Sequence, residues 1–176
     1  LKEYHIEPFR KAIDLGAKSI MINSGLINGM PVHADYNLIT NVLRNELGFE
    51  GVILTDWEDI NKLHSRDKVA KTIKEAIKIA INAGIDMSMV PYDYEVFCKN
   101  LIDLVNEGEV KVSRIDDAVK RILKLKLELD LFNVPVTNYQ DYDDFGSKKY
   151  AKLAYNAASE AITLLKNKDD LLPIKI

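Results

Sequence analysis

Apolar residues in this chain fall into two patterns. Short continuous runs alternate with stretches where they return every three or four positions, as buried parallel strands alternate with amphipathic helices. Tyr4 to Leu15 reads as a helix with Ile6, Phe9, Ala12 and Ile13 on one face, stopped by Gly16, and Lys18 to Asn23 as a buried strand. A loop, Ser24 to Pro31, leads to a second helix, Asp35 to Leu47, carrying Leu38, Val42, Leu43 and Leu47. Gly48 ends it before the strand Val52 to Thr55. The third period is a helix over Lys68 to Ala83, closed by Gly84, then a strand, Ile85 to Val90, that halts at Pro91. Tyr92 to Asn106 follows as another helix. The fold class this predicts is α/β, a parallel sheet wrapped in helices.

Past Asn106 the alternation stops, and two helices follow with no apolar strand between them. Ser113 is a candidate N-cap with Asp116 three positions on, and Ile115, Ala118, Val119, Ile122, Leu123, Leu125 and Leu129 keep helical spacing up to Phe132 and Pro135. Val134 to Gly146 is polar and acidic and reads as an exposed crossover. Lys148 to Ala161 is helical again, and Ile162 to Leu165 begins what reads as the first strand of a further unit.

Length changes the picture. At 176 residues and 47% hydrophobic the chain fills a domain with a real core, but a complete eight-stranded α/β barrel takes about 250 residues. Three strands cannot close a barrel, and an open sheet presents unpaired N–H and C=O groups at its edges. The chain is therefore expected to be a piece of a longer protein, with self-association through its open edges. Its first residues, Leu1-Lys2-Glu3-Tyr4-His5, are neither a signal peptide nor a natural start. Charge excludes one class of partner: 24 Lys and Arg against 27 Asp and Glu give a net charge of -3, with no basic run, so nucleic acid is not a partner. No apolar stretch approaches the ~20 residues that cross a bilayer, so no membrane partner is expected. The single cysteine, Cys98, reads as a core thiol on a helix. His5, His33 and His64 lack ligand spacing, so no metal or other cofactor is assigned.

The candidate chemistry sits where the run Gly51-Val52-Ile53-Leu54-Thr55 gives way to Asp56 and Trp57. Ligands bind beyond the carboxyl ends of parallel strands, so strand, carboxylate, aromatic is how such a sheet presents a reactive acid beside a sugar-sized platform. The alternative is that Asp56 caps a turn and Trp57 packs on the sheet. Glu58 and Asp59 extend the acidic cluster, and Asp59 is expected to be solvated. Asp86, inside the third strand, is expected to satisfy neighbouring groups rather than catalyse.

Around these strands the chain resembles glycoside hydrolase family 3, most strongly its β-glucosidase and exo-β-glucanase branch. The resemblance is carried by Ile20 to Ala34 with its Asn28-Gly29-x-Pro31, by Leu43-Arg44, by Gly48-Phe49-Glu50-Gly51 running into Thr55-Asp56-Trp57-Glu58, by Ala83-Gly84-Ile85-Asp86-Met87-Ser88-Met89-Val90-Pro91, and by Val112 to Leu123. It implies that Asp56 is the nucleophile of a retaining hydrolase acting on β-linked glucose, or a similar sugar, at the non-reducing end of a small oligosaccharide or β-glucoside. Trp57 would flank the leaving-group subsite, stacking on a pyranose face. Met21 matches a methionine that lines the sugar pocket in relatives, though a strand Met also serves as core filler. Ser24 stands where the family commonly has a tyrosine that helps to hold the nucleophile, and it is carried here as a substrate-side residue.

The resemblance further implies a layout. Residues 1–133 would be the C-terminal portion of a (β/α)8 TIM-type barrel, its last three strand-helix units. Residues 134–160 would be a linker with a helix, and 161–176 the first strand of an α/β sandwich domain. The general acid and the remaining sugar-binding groups would come from the rest of the same polypeptide, and the piece alone would be inactive. Two rivals remain. The N-acetylglucosaminidase branch tends to show an Asp-Asp pair where this chain has Asp56-Trp57, and it lacks the Asn-Gly-x-Pro signature. A non-catalytic carbohydrate-binding or assembly protein with a degenerate site is the other, made conceivable by Ser24.

Overall fold

The computed structural model describes residues 2–134 and 137–174. Pro135, expected to stop a helix, and residues 175–176, at the end of the expected second domain, lie outside them. The chain divides into two compact units, Leu1–Phe132 and Asn133–Ile176.

The first unit is built on a three-stranded parallel sheet with strand order β1-β4-β5, in which β1 is Ser19–Met21, β4 is Val52–Trp57 and β5 is Met87–Met89. Between β1 and β4 lies a small antiparallel hairpin, β2 (Leu26–Ile27) with β3 (Met30–Pro31), in the segment expected to be loop. The central strand reads as a continuous apolar run because helices cover the sheet: Val52, Ile53 and Thr55 are all buried. Ser19 pairs with Val52 and Met21 with Leu54, so β1 and β4 run in step; Leu54 pairs with Met87 and Trp57 with Met89, with one irregularity between.

Helix α1 is Glu7–Asp14, preceded by a π-helical turn, Lys2–Ile6; helices α2 (Asp59–Ser65), α3 (Ile73–Ala83), α4 (Tyr94–Asn106) and α5 (Val112–Glu128) follow the strands. The core joins Ile39, Leu43, Phe49, Ile53, Ile60, Leu63, Ile77 and Ile85. Thr72 caps α3 by accepting a hydrogen bond from the Glu75 amide, while the Glu75 carboxylate accepts from Lys71 N. Gly84 closes α3 at φ +120°, where a Cβ would meet Thr40 Oγ1 at 2.8 Å, so both conformation and space demand glycine.

Several expectations are corrected. Lys18 to Asn23 is not a buried strand: Ser19 and Met21 are exposed, because β1 is an edge strand. The helix over Asp35 to Leu47 is a 3₁₀ turn, Val32–Ala34, followed by a π-helical segment, Asn37–Glu46. The helix over Lys68 to Ala83 begins only at Ile73, and the unexpected α2 precedes it. Ser113 is not an N-cap; α5 starts one residue earlier, after Lys111, whose side chain makes no cap. Cys98 is exposed rather than a core thiol, on the outer side of α4.

The second unit carries α6 (Lys148–Ala161), started by Ser147, whose hydroxyl accepts from Tyr150 N. Before it, Asn138 and Asp141 cap a 3₁₀ turn reciprocally. Ile162 to Leu165 form no strand, having no strand beside them among the described residues.

At the amino ends of the strands Asp86 is buried. Its carboxylate accepts from Ile53 N at 3.0 Å and pairs with Arg44 and Arg114, with Arg121 3.7 Å away. Arg44 also donates to Phe49 O and Gly51 O, and Arg114 to Ile81 O and Ile85 O. Burial lowers the pKa of Arg44 to about 10, against the opposing pull of Asp86. Asp86 thus has the structural role expected of it.

Candidate active site

The carboxyl ends of the three strands bring together Asp56 and Trp57 from β4, the loop after β1, and the segment after β5. Asp56 is half-buried, and its Oδ1 accepts a 2.6 Å hydrogen bond from Trp57 N. That bond orients one carboxylate oxygen by backbone alone, and the other has no hydrogen-bond partner among the described residues.

Glu58 follows in the left-handed region, φ +59° and ψ 14°, an unusual place for a non-glycine residue. Its amide donates to Met89 O at 2.9 Å, while Met89 N donates to Thr55 Oγ1 at 2.9 Å. These bonds clamp the end of β4 to the end of β5 and turn the chain into α2. The Glu58 carboxylate accepts from Asn61 through Oε2, and its Oε1 is buried without a partner.

Trp57 is 48% exposed and lies edge-to-face with Tyr92, ring centroids 5.9 Å apart at 78°. Tyr92, 74% exposed, follows Pro91 and stands three residues beyond Met89, the last residue of β5. Sequence reasoning passed over it. The signal was there in a form similar to that at Trp57, an aromatic at the carboxyl end of an apolar run.

The larger correction concerns Asp59. It is not solvated but 1% exposed, at the start of α2. Its Oδ1 accepts from Ser24 Oγ at 2.6 Å and from Lys62 Nζ at 2.7 Å, and its Oδ2 lies 2.9 Å from Nε2 of His33, itself 1% exposed, without the alignment of a hydrogen bond. Burial pushes the His33 pKa below 6.5, the Asp59 charge being the largest influence the other way. Ser24 and His33 from the connection between β1 and β4, and Lys62 from α2, therefore meet on one carboxylate.

Ser24 is held from both sides. Its hydroxyl donates to Asp59 and accepts from Arg66, whose guanidinium also reaches Ser24 O and forks onto Asp67. Met21 is 48% exposed at the end of β1 and lines an apolar cavity of about 410 Å³ with Ile6, Phe9, Ile20, Val42 and Leu47. No group of three or more His, Cys, Asp or Glu suited to a metal ion occurs among the described residues. No helix among them is long and apolar enough to cross a membrane.

Comparison with known proteins gives this arrangement its context. Residues 1–125 match the glycosyl hydrolase family 3 N-terminal domain. The chain is 46% identical over 177 residues to a lysosomal beta glucosidase of Dictyostelium discoideum, covering 99% of this chain and 21% of that protein. It is 31% identical over 177 residues to a periplasmic beta-glucosidase of Salmonella typhimurium, covering 97% and 23%. Among solved structures, a β-glucosidase from Erythrobacter marinus superposes with a TM-score of 0.73 at 34% identity, over 97% of this chain and 22% of the other. The chain thus spans between a fifth and a quarter of the length of these relatives. With its parallel sheet, flanking helices and matched sequence, the chain belongs to glycosyl hydrolase family 3.

Proposed function

We propose that this chain supplies the nucleophile half of the active site of a retaining β-glycoside hydrolase that releases glucose, or a similar sugar, from the non-reducing end of β-glucosides. The observation that carries this reading is Asp56: a half-buried carboxylate at the carboxyl end of the central strand, one oxygen fixed by a backbone N–H and an aromatic ring beside it. The names of its relatives support the same class. They include beta-glucosidases and also beta-xylosidases, one of these 30% identical over the full chain.

In this reading the Asp56 carboxylate attacks the anomeric carbon as the glycosidic C–O bond breaks, and a general acid from elsewhere in the polypeptide protonates the departing oxygen. The same group, now a base, takes a proton from water, whose oxygen displaces Asp56 from the glycosyl ester and regenerates both residues. Trp57 stacks on the sugar or its leaving group, and Met21 and Ser24 stand at the rim of the site.

The open edges of the sheet and the apolar cavity beside β1 support a second part of the proposal: residues 1–133 are the last three units of a (β/α)8 barrel, 134–160 a linker, and 161–176 the start of a second domain. The remainder of the polypeptide then completes the site.

The test is hydrolysis of 4-nitrophenyl β-D-glucoside by the full-length polypeptide and its Asp56→Ala variant, with labelling by a 2-fluoroglycoside. Turnover that the variant loses almost entirely, with the label on Asp56, is the expected result. A full-length protein that binds sugar reversibly but neither turns over nor becomes labelled would move the assignment to a carbohydrate-binding role.

A further inference from the structure

The pair Trp57 and Tyr92 has a use that the nucleophile does not explain. Exposed aromatics are ordinary when they stand singly. Trp57 ends β4 and Tyr92 comes three residues past the adjacent β5; the two rings meet edge-to-face at 5.9 Å and both keep much of their surface open, at the carboxyl end of the sheet, where Asp56 also stands. Their planes stand at 78°, so together they form two walls of a corner rather than one flat shelf.

The corner is also held in place. The Glu58 amide on Met89 O, the Met89 amide on Thr55 Oγ1 and the Trp57–Met89 register fix the strand ends from which the rings depart, and Pro91 restricts the backbone just before Tyr92. Aromatic side chains on a fixed backbone have little rotamer entropy to lose when a ligand packs on them.

We propose that Tyr92 is a specificity-determining residue which, with Trp57, forms a leaving-group site for a ring with an apolar face, a second β-linked pyranose or an aryl group, in preference to a short alkyl aglycone. This rests on the hydrolase reading and deepens it. A pyranose offers C–H surface on its faces while its hydroxyls stay in water at its rim. Two perpendicular walls match a ring that follows the scissile bond, whereas a methyl group is too small to reach both.

The experiment uses the full-length polypeptide, its Tyr92→Ala and Tyr92→Phe variants, and two substrates, cellobiose and methyl β-D-glucoside. The ratio of kcat/KM for cellobiose to that for the methyl glycoside is expected to fall about 3- to 10-fold in Tyr92→Ala, the scale of one aromatic contact, and to be retained in Tyr92→Phe. An unaltered ratio in Tyr92→Ala overturns the proposal. A second measurement stands apart from turnover: calorimetric titration of cellobiose and of glucose into Asp56→Ala, with and without Tyr92→Ala. The ratio of the two Kd values is expected to shift by a similar factor. A full-length protein that hydrolyses neither glycoside and takes no 2-fluoroglycoside label ends the hydrolase reading, and the leaving-group site falls with it, whereas turnover or labelling with no shift in either ratio overturns the role of Tyr92 alone.

Discussion

Ser24 Oγ donates a 2.6 Å hydrogen bond to Asp59 Oδ1, joining the loop that leaves β1 to the first turn of α2 across 35 residues of sequence. The nucleophile candidate Asp56 stands near the end of β4, three residues before Asp59, and Ser24 comes from the connection that follows β1, the strand paired with β4. Asp59 is therefore a support for the loops around the site, and removing its carboxylate strands its partners.

Asp59→Ala is expected to lower stability by roughly 2 to 4 kcal/mol, because Ser24, Lys62 and the buried His33 all lose the group they face. Asp59→Asn retains an acceptor for Ser24 and should lose less. Chemical denaturation of the three proteins checks the order, and equal stability of Asp59→Ala and the parent would remove Asp59 from this role.

His33 makes stability depend on pH in a definite direction. Its folded pKa lies below its ordinary 6.5, so the unfolded chain takes up the proton first on acidification. The contribution of neutral, buried His33 is complete above 6.5 and is lost as pH falls from there through the lower folded value. Asp59 and Asp67 pull toward protonation and Arg66 and Lys62 against it, with burial prevailing. Thermal midpoints should drop more steeply between about pH 7 and 5 in the parent than in His33→Gln; parallel profiles would count against the assignment.

Gly51 precedes β4 where the backbone of β1 comes closest. A Cβ there would stand 2.3 Å from Lys18 O, the carbonyl that accepts from Val52 N at 3.0 Å and starts the β1–β4 pairing. Gly51→Ala is expected to cost about 1 to 3 kcal/mol or to shift the register of the pair, read as a lower midpoint in urea. A variant as stable as the parent would show that the strands part without penalty.

The outer edges of β1 and β5 carry no partner strand among the described residues. The chain expressed alone should therefore associate in a concentration-dependent way in sedimentation velocity, whereas a monomer that melts in one cooperative step would argue for a self-sufficient unit.

What the sequence disclosed follows from the range of the interactions involved. The strand ending in Asp56 and Trp57 was legible because an apolar run and its terminus are local facts, and α4, α6 and the Gly84 stop were legible for the same reason. Helix α2 was missed because it is short and polar and begins from a left-handed Glu58, a conformation that local patterning does not favour. The burial of Asp59 was hidden because His33 and Ser24, the groups that make it tolerable, arrive from another strand connection. The exposure of β1 follows from what does not lie beside it, and no apolar pattern within Lys18 to Asn23 encodes that. Tyr92 needed only the rule already applied to Trp57.

The arginines gathered on Asp86 divide the molecule by purpose. They bind the amino ends of the strands to the helices that follow, while the groups that meet a ligand in the proposed reading stand at the carboxyl ends. A substitution at Met21 or Tyr92 leaves that anchorage untouched, so in the proposed reading sugar preference would be free to change without it. On that reading, a lineage or an engineer would be able to explore new glycosides through such exposed positions while the buried arginine cluster keeps the strands anchored.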